Sequence, residues 1–149
     1  MSQSFSQAVS IHAPAGVVWA CLTRVERMRA WMAEPEMVLE IAADWRVGGV
    51  IVMRGFHHER FENTGTVLAF EPQRLLRYTQ LNSLSRLPDV PENHALLEFR
   101  LAAAGDAADD ATALTFTASR FATPEIYKHL QFYWAGTLGI LKRQAEGMV

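Results

Sequence analysis

The sequence predicts an α+β fold built on an antiparallel sheet. Segments that alternate apolar and polar residues occupy the start and the middle of the chain, and a long apolar stripe at helical spacing occupies its end. The predicted order is one strand, two short helices, about six strands and one long helix. Such segregation of strands from helices is typical of α+β folds. The 149 residues correspond to a single domain, residues 1–149, without repeats or a linker.

The N-terminal elements are a strand and two helices. Residues 5–11 alternate with period two, which predicts a strand. Pro14 suits the first turn of a helix, where its missing N–H is not needed. Apolar residues between 17 and 22 form the stripe of that helix. A second short helix is predicted over residues 25–32, with Met28 and Trp31 on its apolar face.

The middle of the chain predicts a series of strands joined by tight turns. The strands are predicted at residues 37–41, 50–55, 60–70 and 75–81. Paired glycines at 48 and 49 permit a turn with positive φ, residues 56–59 form a hairpin connection, and Pro72 marks another turn.

The C-terminal third predicts two more strands and the long helix. A polar loop over residues 82–93 precedes a strand at 94–102, an acidic loop at 104–110 and a strand at 113–119. Thr123 is a suitable N-cap for a helix that ends near Glu146. The apolar stripe of this helix consists of Leu130, Trp134, Leu138, Leu141 and Ala145.

Five short segments in a fixed order carry a family resemblance. They are APAGVVWACLT at residues 13–23, DWRVGG at 44–49, GTV at 65–67, EPQRLLRYT at 71–79 and WAGTLGILK at 134–142. Together they resemble the START-like (SRPBCC) superfamily, and within it the family similar to the activator of the heat-shock protein 90 ATPase. The resemblance covers roughly residues 5 to 146.

The resemblance implies a helix-grip fold, in which a curved sheet of six or seven strands wraps around the long C-terminal helix and encloses an apolar cavity. Ligand pockets are mostly apolar with a few polar groups that orient the ligand. On this basis the candidate ligand-binding residues are Trp31, Trp45, Arg54, His57, Phe61, Tyr78, Gln80, His129 and Tyr133.

The polar candidates depend on which strand and helix faces point inward. Arg54 enters the cavity only if it shares an inward face with Val50 and Val52, and it would then need an acidic partner. Gln80 lies on the same face of its strand as Tyr78. His129 and Tyr133 are four residues apart and therefore share one face of the last helix.

Catalytic and metal sites are not indicated. His57, His58 and Glu59 are adjacent on an extended chain, so their side chains point in different directions and do not converge on one metal ion. Glu98 is an acid–base candidate only if its strand has the opposite register to the one that its leucines favour. The sequence contains no phosphate loop, dinucleotide fingerprint or nucleophile elbow, and it predicts no cofactor.

Charge and cysteine content limit the partners and the cellular location that can be expected. A net charge of -2 gives no electrostatic argument for nucleic acid or an anionic membrane. No apolar run approaches the roughly 20 residues needed to cross a bilayer. The single cysteine, Cys21, lies in an apolar stretch and is expected to be buried and inert. With no apparent signal peptide, a cytoplasmic protein is expected, and a homodimer is left open.

Three functions compete at this stage. The first is binding of a small hydrophobic molecule, and the second is an enzyme (cyclase, dehydratase or hydrolase) that uses the same cavity. The third is a chaperone-interacting module, as the family's name implies. The eukaryotic activator carries an additional N-terminal domain, whereas only four residues precede Phe5 here, so the third is the least favoured.

Overall fold

The computed structural model describes residues 3–104 and 111–149, so most of the predicted acidic loop lies outside the described residues. The secondary structure consists of β1 (Ser4–Ile11), α1 (Ala15–Thr23), α2 (Val25–Met32), β2 (Glu40–Ala43), β3 (Val50–His57), β4 (Glu59–Glu71), β5 (Leu75–Asn82), β6 (Ala95–Ala103), β7 (Thr112–Ser119) and α3 (Pro124–Glu146).

The seven strands form one curved antiparallel sheet. Their order across the sheet is β1-β7-β6-β5-β4-β3-β2, so the first strand pairs with the last and each other strand pairs with its neighbours in sequence. The long helix α3 contacts β1 and both short helices. This arrangement is the helix-grip fold, and the predicted fold class is confirmed.

The core lies between the inner face of the sheet and α3. All five residues of the predicted apolar stripe of α3 are buried: Leu130, Trp134, Leu138, Leu141 and Ala145. Trp134 stacks on Phe116 at a centroid distance of 4.3 Å and meets Phe99 edge-on at 5.6 Å. The alternation in β1, β6 and β7 is confirmed, since the same residues that the pattern assigns to the core point inward.

Two glycines in the recognised segments are required by close backbone contacts. A Cβ atom at position 65 would lie 1.7 Å from the carbonyl oxygen of Thr79, and one at position 49 would lie 2.0 Å from the carbonyl oxygen of Asp44. Gly48 has a φ of 88°, which residues with a side chain rarely adopt. The GTV and DWRVGG segments therefore fix the approach of β5 to β4 and the turn before β3.

Several predicted boundaries are wrong. Residues 37–39 do not belong to a strand, because a 3-10 turn over Pro35–Met37 is followed by Val38 at a φ of 46°, and β2 begins only at Glu40. The β3–β4 hairpin is also tighter than predicted, with His58 alone at its tip and a φ of 67°. Strand β5 extends one residue further, to Asn82.

Within the described part of the chain, no helix is both long enough and apolar enough to cross a membrane. The longest of the described helices, α3, carries charged residues near both of its ends.

Candidate functional site

An open cleft of about 860 Å³ lies between α2, α3 and one end of the sheet. Its walls come from α2 and the segment after it, from β3, β4 and β5, from the loop after β5, and from the N-terminal two thirds of α3. The lining residues used below are Trp31, Glu34, Met53, His57, Phe61, Asn63, Gln80, Asn82, Glu125, His129, Leu130, Tyr133 and Trp134.

The floor of the cleft is apolar. Trp31 and Trp134 pack with a centroid distance of 6.0 Å, and Leu130 lies beside them on α3. The indole nitrogen of Trp31 donates to the carbonyl oxygen of Cys21 at 2.8 Å, which satisfies its polar atom. The ring is buried at the bottom of the cleft, with only 2% of the residue exposed. The buried indole nitrogen of Trp134 has no hydrogen-bond partner among the described residues.

Tyr133 fastens the helical wall of the cleft. Its hydroxyl donates to the carbonyl oxygen of Met32 at 2.5 Å and so joins α3 to the end of α2. Burial raises the pKa of the Tyr133 hydroxyl to about 12, because the ionised form would lose hydration. The single proton of this hydroxyl is therefore committed to the backbone, although the sequence suggests a role in orienting a ligand.

Three amides form the polar part of the sheet wall. The side-chain nitrogen of Asn82 donates to the side-chain oxygen of Asn63 at 2.8 Å across β4 and β5. Gln80 is half-buried two residues before Asn82 on the same strand face. The sequence pattern predicts Gln80 as a cavity residue but not the two asparagines. The signal was present, since Tyr78, Gln80 and Asn82 continue one alternation, but the predicted strand ended one residue too early.

The rim of the cleft carries ionisable groups. His57 at the end of β3 and His129 on α3 are both exposed and both line the cleft. Glu34 follows α2, and Glu125 lies in the first turn of α3. Of the nine predicted ligand-binding residues, the structure places six along the cleft: Trp31, His57, Phe61, Gln80, His129 and Tyr133.

The other three predicted residues lie outside the cleft lining. Trp45 donates from its indole nitrogen to the carbonyl oxygen of Thr23 at 2.7 Å and stacks on Phe70, so it fastens the turn before β3. Tyr78 is a core residue, only 2% exposed, and stacks on Phe99. Burial, and secondly the nearby Tyr133, raise the pKa of the Tyr78 hydroxyl far above its ordinary value.

Arg54 lies on the outer face of the sheet, because the inward residues of β3 are Ile51 and Met53. Its Nε atom pairs with a carboxylate oxygen of Glu62 at 2.5 Å, directly across β3 and β4. The condition under which Arg54 would enter the cavity is therefore not met. It borders a separate surface groove of about 640 Å³.

Glu98 is also on the outer face. Burial alone would raise the pKa of this carboxyl, but hydrogen bonds from Arg77 and Arg100 outweigh burial and hold the pKa below its usual value. An ionised, doubly paired carboxylate does not donate a proton near neutral pH. Among the described residues, no cluster of His, Cys, Asp or Glu has the arrangement of a metal site.

A long helix held by a curved antiparallel sheet, with an open cleft beside it, defines the START-like class of proteins. The family described as Activator of Hsp90 ATPase homolog 1-like protein matches residues 12–146. The chain belongs to this family. No functionally curated protein gives a significant match.

Solved structures share the fold over nearly the whole chain. A protein from Cytophaga hutchinsonii is 26% identical, with 98% of this chain and 95% of that chain covered and a TM-score of 0.77. CalU16 from Micromonospora echinospora is 22% identical, with 97% and 76% covered and a TM-score of 0.72. The Aha1 dimer from Colwellia psychrerythraea is 19% identical, with 97% and 96% covered and a TM-score of 0.74.

Proposed function

We propose that this protein binds a small hydrophobic molecule in the cleft between the sheet and α3. The observation that carries the proposal is the combination of an apolar floor, formed by Trp31, Leu130 and Trp134, with the three amides on one wall. The volume of about 860 Å³ lies within the range of pockets that hold small organic ligands. Burial of an apolar ligand contributes roughly 25 cal/mol for each Å² removed from water.

A filled cleft tests this proposal. Ala33 is half-buried and lines the cleft, so Ala33→Trp should occupy part of the space that a ligand needs. Ala135 is exposed on α3 and does not line the cleft, so Ala135→Trp is the matched control. Binding of a neutral fluorescent probe, N-phenyl-1-naphthylamine, should weaken in the first variant and stay unchanged in the second. Equal binding by both variants would place the probe elsewhere and contradict the proposal.

Native mass spectrometry of protein purified from its own host is the second experiment. A retained molecule would identify the ligand class, and its conversion on incubation with the protein would favour an enzyme over a binding protein. A cytoplasmic location is part of the same proposal, supported by the single cysteine, which is fully buried and free.

A chaperone-associated role is the alternative that the family description favours. It is tested by adding the protein to an Hsp90-type ATPase from the same host and measuring ATP turnover. Stimulation that survives Ala33→Trp would assign the effect to a surface outside the cleft. Stimulation lost in that variant would tie it to the cleft.

We also propose that the protein forms a homodimer through the outer face of α3. Phe132 on this face is 85% exposed, and a Cβ atom at Gly136, one turn further on, would meet nothing within 4 Å. The Colwellia relative is described as a dimer. Analytical ultracentrifugation should show a dimer that Phe132→Ser weakens. Phe56→Ser, at another exposed phenylalanine, is the control, and equal effects of the two changes would exclude this face.

A further inference from the structure

The cleft has a one-sided charge. All 14 Lys and Arg residues of the chain lie in its described part, and none of them lines the cleft. Two carboxylates do line it, Glu34 after α2 and Glu125 at the start of α3, and the other ionisable side chains at its rim, among the described residues, are His57 and His129. The net charge of the whole chain is only -2, so this bias is local to the cleft and does not reflect an acidic protein.

The two rim carboxylates have no ion-pair partner among the described residues. Neither Glu34 nor Glu125 forms a salt bridge with a described residue, and both are exposed at the rim. Nearby Arg54 is already paired with Glu62 on the outer face. A ligand that enters the cleft therefore meets the two carboxylates at the mouth, with no lysine or arginine in the cleft lining to offset them.

Deeper in the cleft, the polar groups are neutral. Gln80, Asn63 and Asn82 offer amide oxygens and N–H groups, and the hydroxyl proton of Tyr133 is taken by Met32. A carboxylate or phosphate head buried here would lose its hydration without gaining an ionic partner, which is costly. An ammonium or an uncharged hydroxyl head would find acceptors.

We infer that the ligand of this cleft is an amphiphile with an amine head, and that anionic amphiphiles such as fatty acids are rejected. This inference rests on the proposed function. In it, the apolar tail lies over Trp31 and Trp134, and the ammonium group lies near the rim carboxylates. A unit charge several ångströms from a carboxylate near a protein surface changes affinity by roughly threefold to tenfold for each carboxylate.

The test compares three ligands that share one chain length: dodecylamine, dodecan-1-ol and dodecanoate. Each displaces N-phenyl-1-naphthylamine at low salt and about pH 8, where the amine is protonated and the acid is ionised, and each stays below its micelle concentration. We expect dodecylamine to bind tightest, the alcohol to be intermediate, and dodecanoate to bind at least about tenfold more weakly than the amine.

Charge-neutralising variants provide the control. In the double variant Glu34→Gln and Glu125→Gln, the gap between amine and acid should narrow to a few-fold. Glu36→Gln removes an exposed carboxylate that does not line the cleft and should leave the gap unchanged. Dodecanoate that binds as tightly as dodecylamine, or a gap that persists in the double variant, overturns the inference while the cleft remains a binding site. Failure of the probe and all three ligands to bind overturns the proposed function, and the inference with it.

Discussion

Removal of the Tyr133 hydroxyl is the sharpest test of how the cleft is held open. In Tyr133→Phe, the hydrogen bond of 2.5 Å to the carbonyl oxygen of Met32 disappears while the ring remains in place. A typical hydrogen bond contributes about 0.5–1.5 kcal/mol, and the abandoned carbonyl adds a desolvation cost. We expect the free energy of unfolding to fall by about 1–2 kcal/mol. For a chain of this size, that corresponds to a fall in Tm of roughly 2–8 °C.

The matched control is Tyr127→Phe, because Tyr127 contributes its ring to the packing against Phe5 and Phe121. Thermal unfolding near neutral pH should separate the two variants. Equal stability of Tyr133→Phe and the unaltered protein would refute the argument, since it would mean that the bond between α3 and α2 contributes nothing.

Alkaline pH gives the same test a second readout. The pKa of Tyr133 is about 12 in the folded protein, above the ordinary value near 10 for an unfolded chain. The folded state therefore holds this proton more tightly, and the stabilisation is fully present below about pH 10 and is lost as the pH rises towards 12. The stability difference between the unaltered protein and Tyr133→Phe should shrink over that interval. A constant difference would contradict the assigned cause.

Three further experiments test the packing of the core, a close backbone contact in the sheet and an ion-paired carboxylate on the outer face of the sheet. Trp134→Ala should lower the free energy of unfolding by about 3–5 kcal/mol, as for other buried aromatic residues, and a small shift in Tm would contradict its position in the core. Gly65→Ala should be strongly destabilising, because its Cβ atom would overlap the carbonyl oxygen of Thr79. Gly136→Ala on the exposed face of α3 should instead raise the free energy of unfolding by up to about 1 kcal/mol, because alanine favours a helix more than glycine does. Urea unfolding measures both changes, and similar effects of the two would refute the close contact at Gly65. The carboxyl of Glu98 has a lowered pKa, so it stabilises the fold only while it is ionised, and its contribution is lost as the pH falls below about 4.5. Glu98→Gln should therefore lose less stability on acidification than the unaltered protein. Acid titrations of the two proteins, followed side by side, check this, and curves of the same shape would contradict it.

The elements that the sequence predicts best are those with one clean period. In α3 the apolar residues recur every three or four positions, and in β7 they alternate with polar residues from Leu114 to Ser119, so only one face of each can be buried. The segment before β2 is different. Val38 has high strand propensity, yet it adopts a left-handed backbone conformation at a turn, because tertiary context overrides local preference.

The site was harder to predict because it depends on which face of each strand points inward. In β3 the residues on both faces are apolar, since Val50 and Val52 alternate with Ile51 and Met53, and the pattern does not say which pair points inward. Arg54 shares its strand face with Val50 and Val52, and this is the outer face of the sheet. The two rim carboxylates were not predicted, because Glu34 and Glu125 are far apart in the sequence and line the same cleft only in the folded structure.

The pairing of β1 with β7 has a consequence for how the chain reaches this fold. Ser4 pairs with Ser119, so the first strand to be synthesised has no partner until nearly the whole chain has been made. At typical rates of synthesis, this delay is roughly 5–20 seconds. During that interval β1 presents an unpaired edge with an apolar face, and we expect ribosome-bound chains that end before β7 to bind chaperones and to aggregate on release. The strand that begins the chain is thus among the last parts of the sheet to be completed, and folding is expected to be slow for the size of the domain.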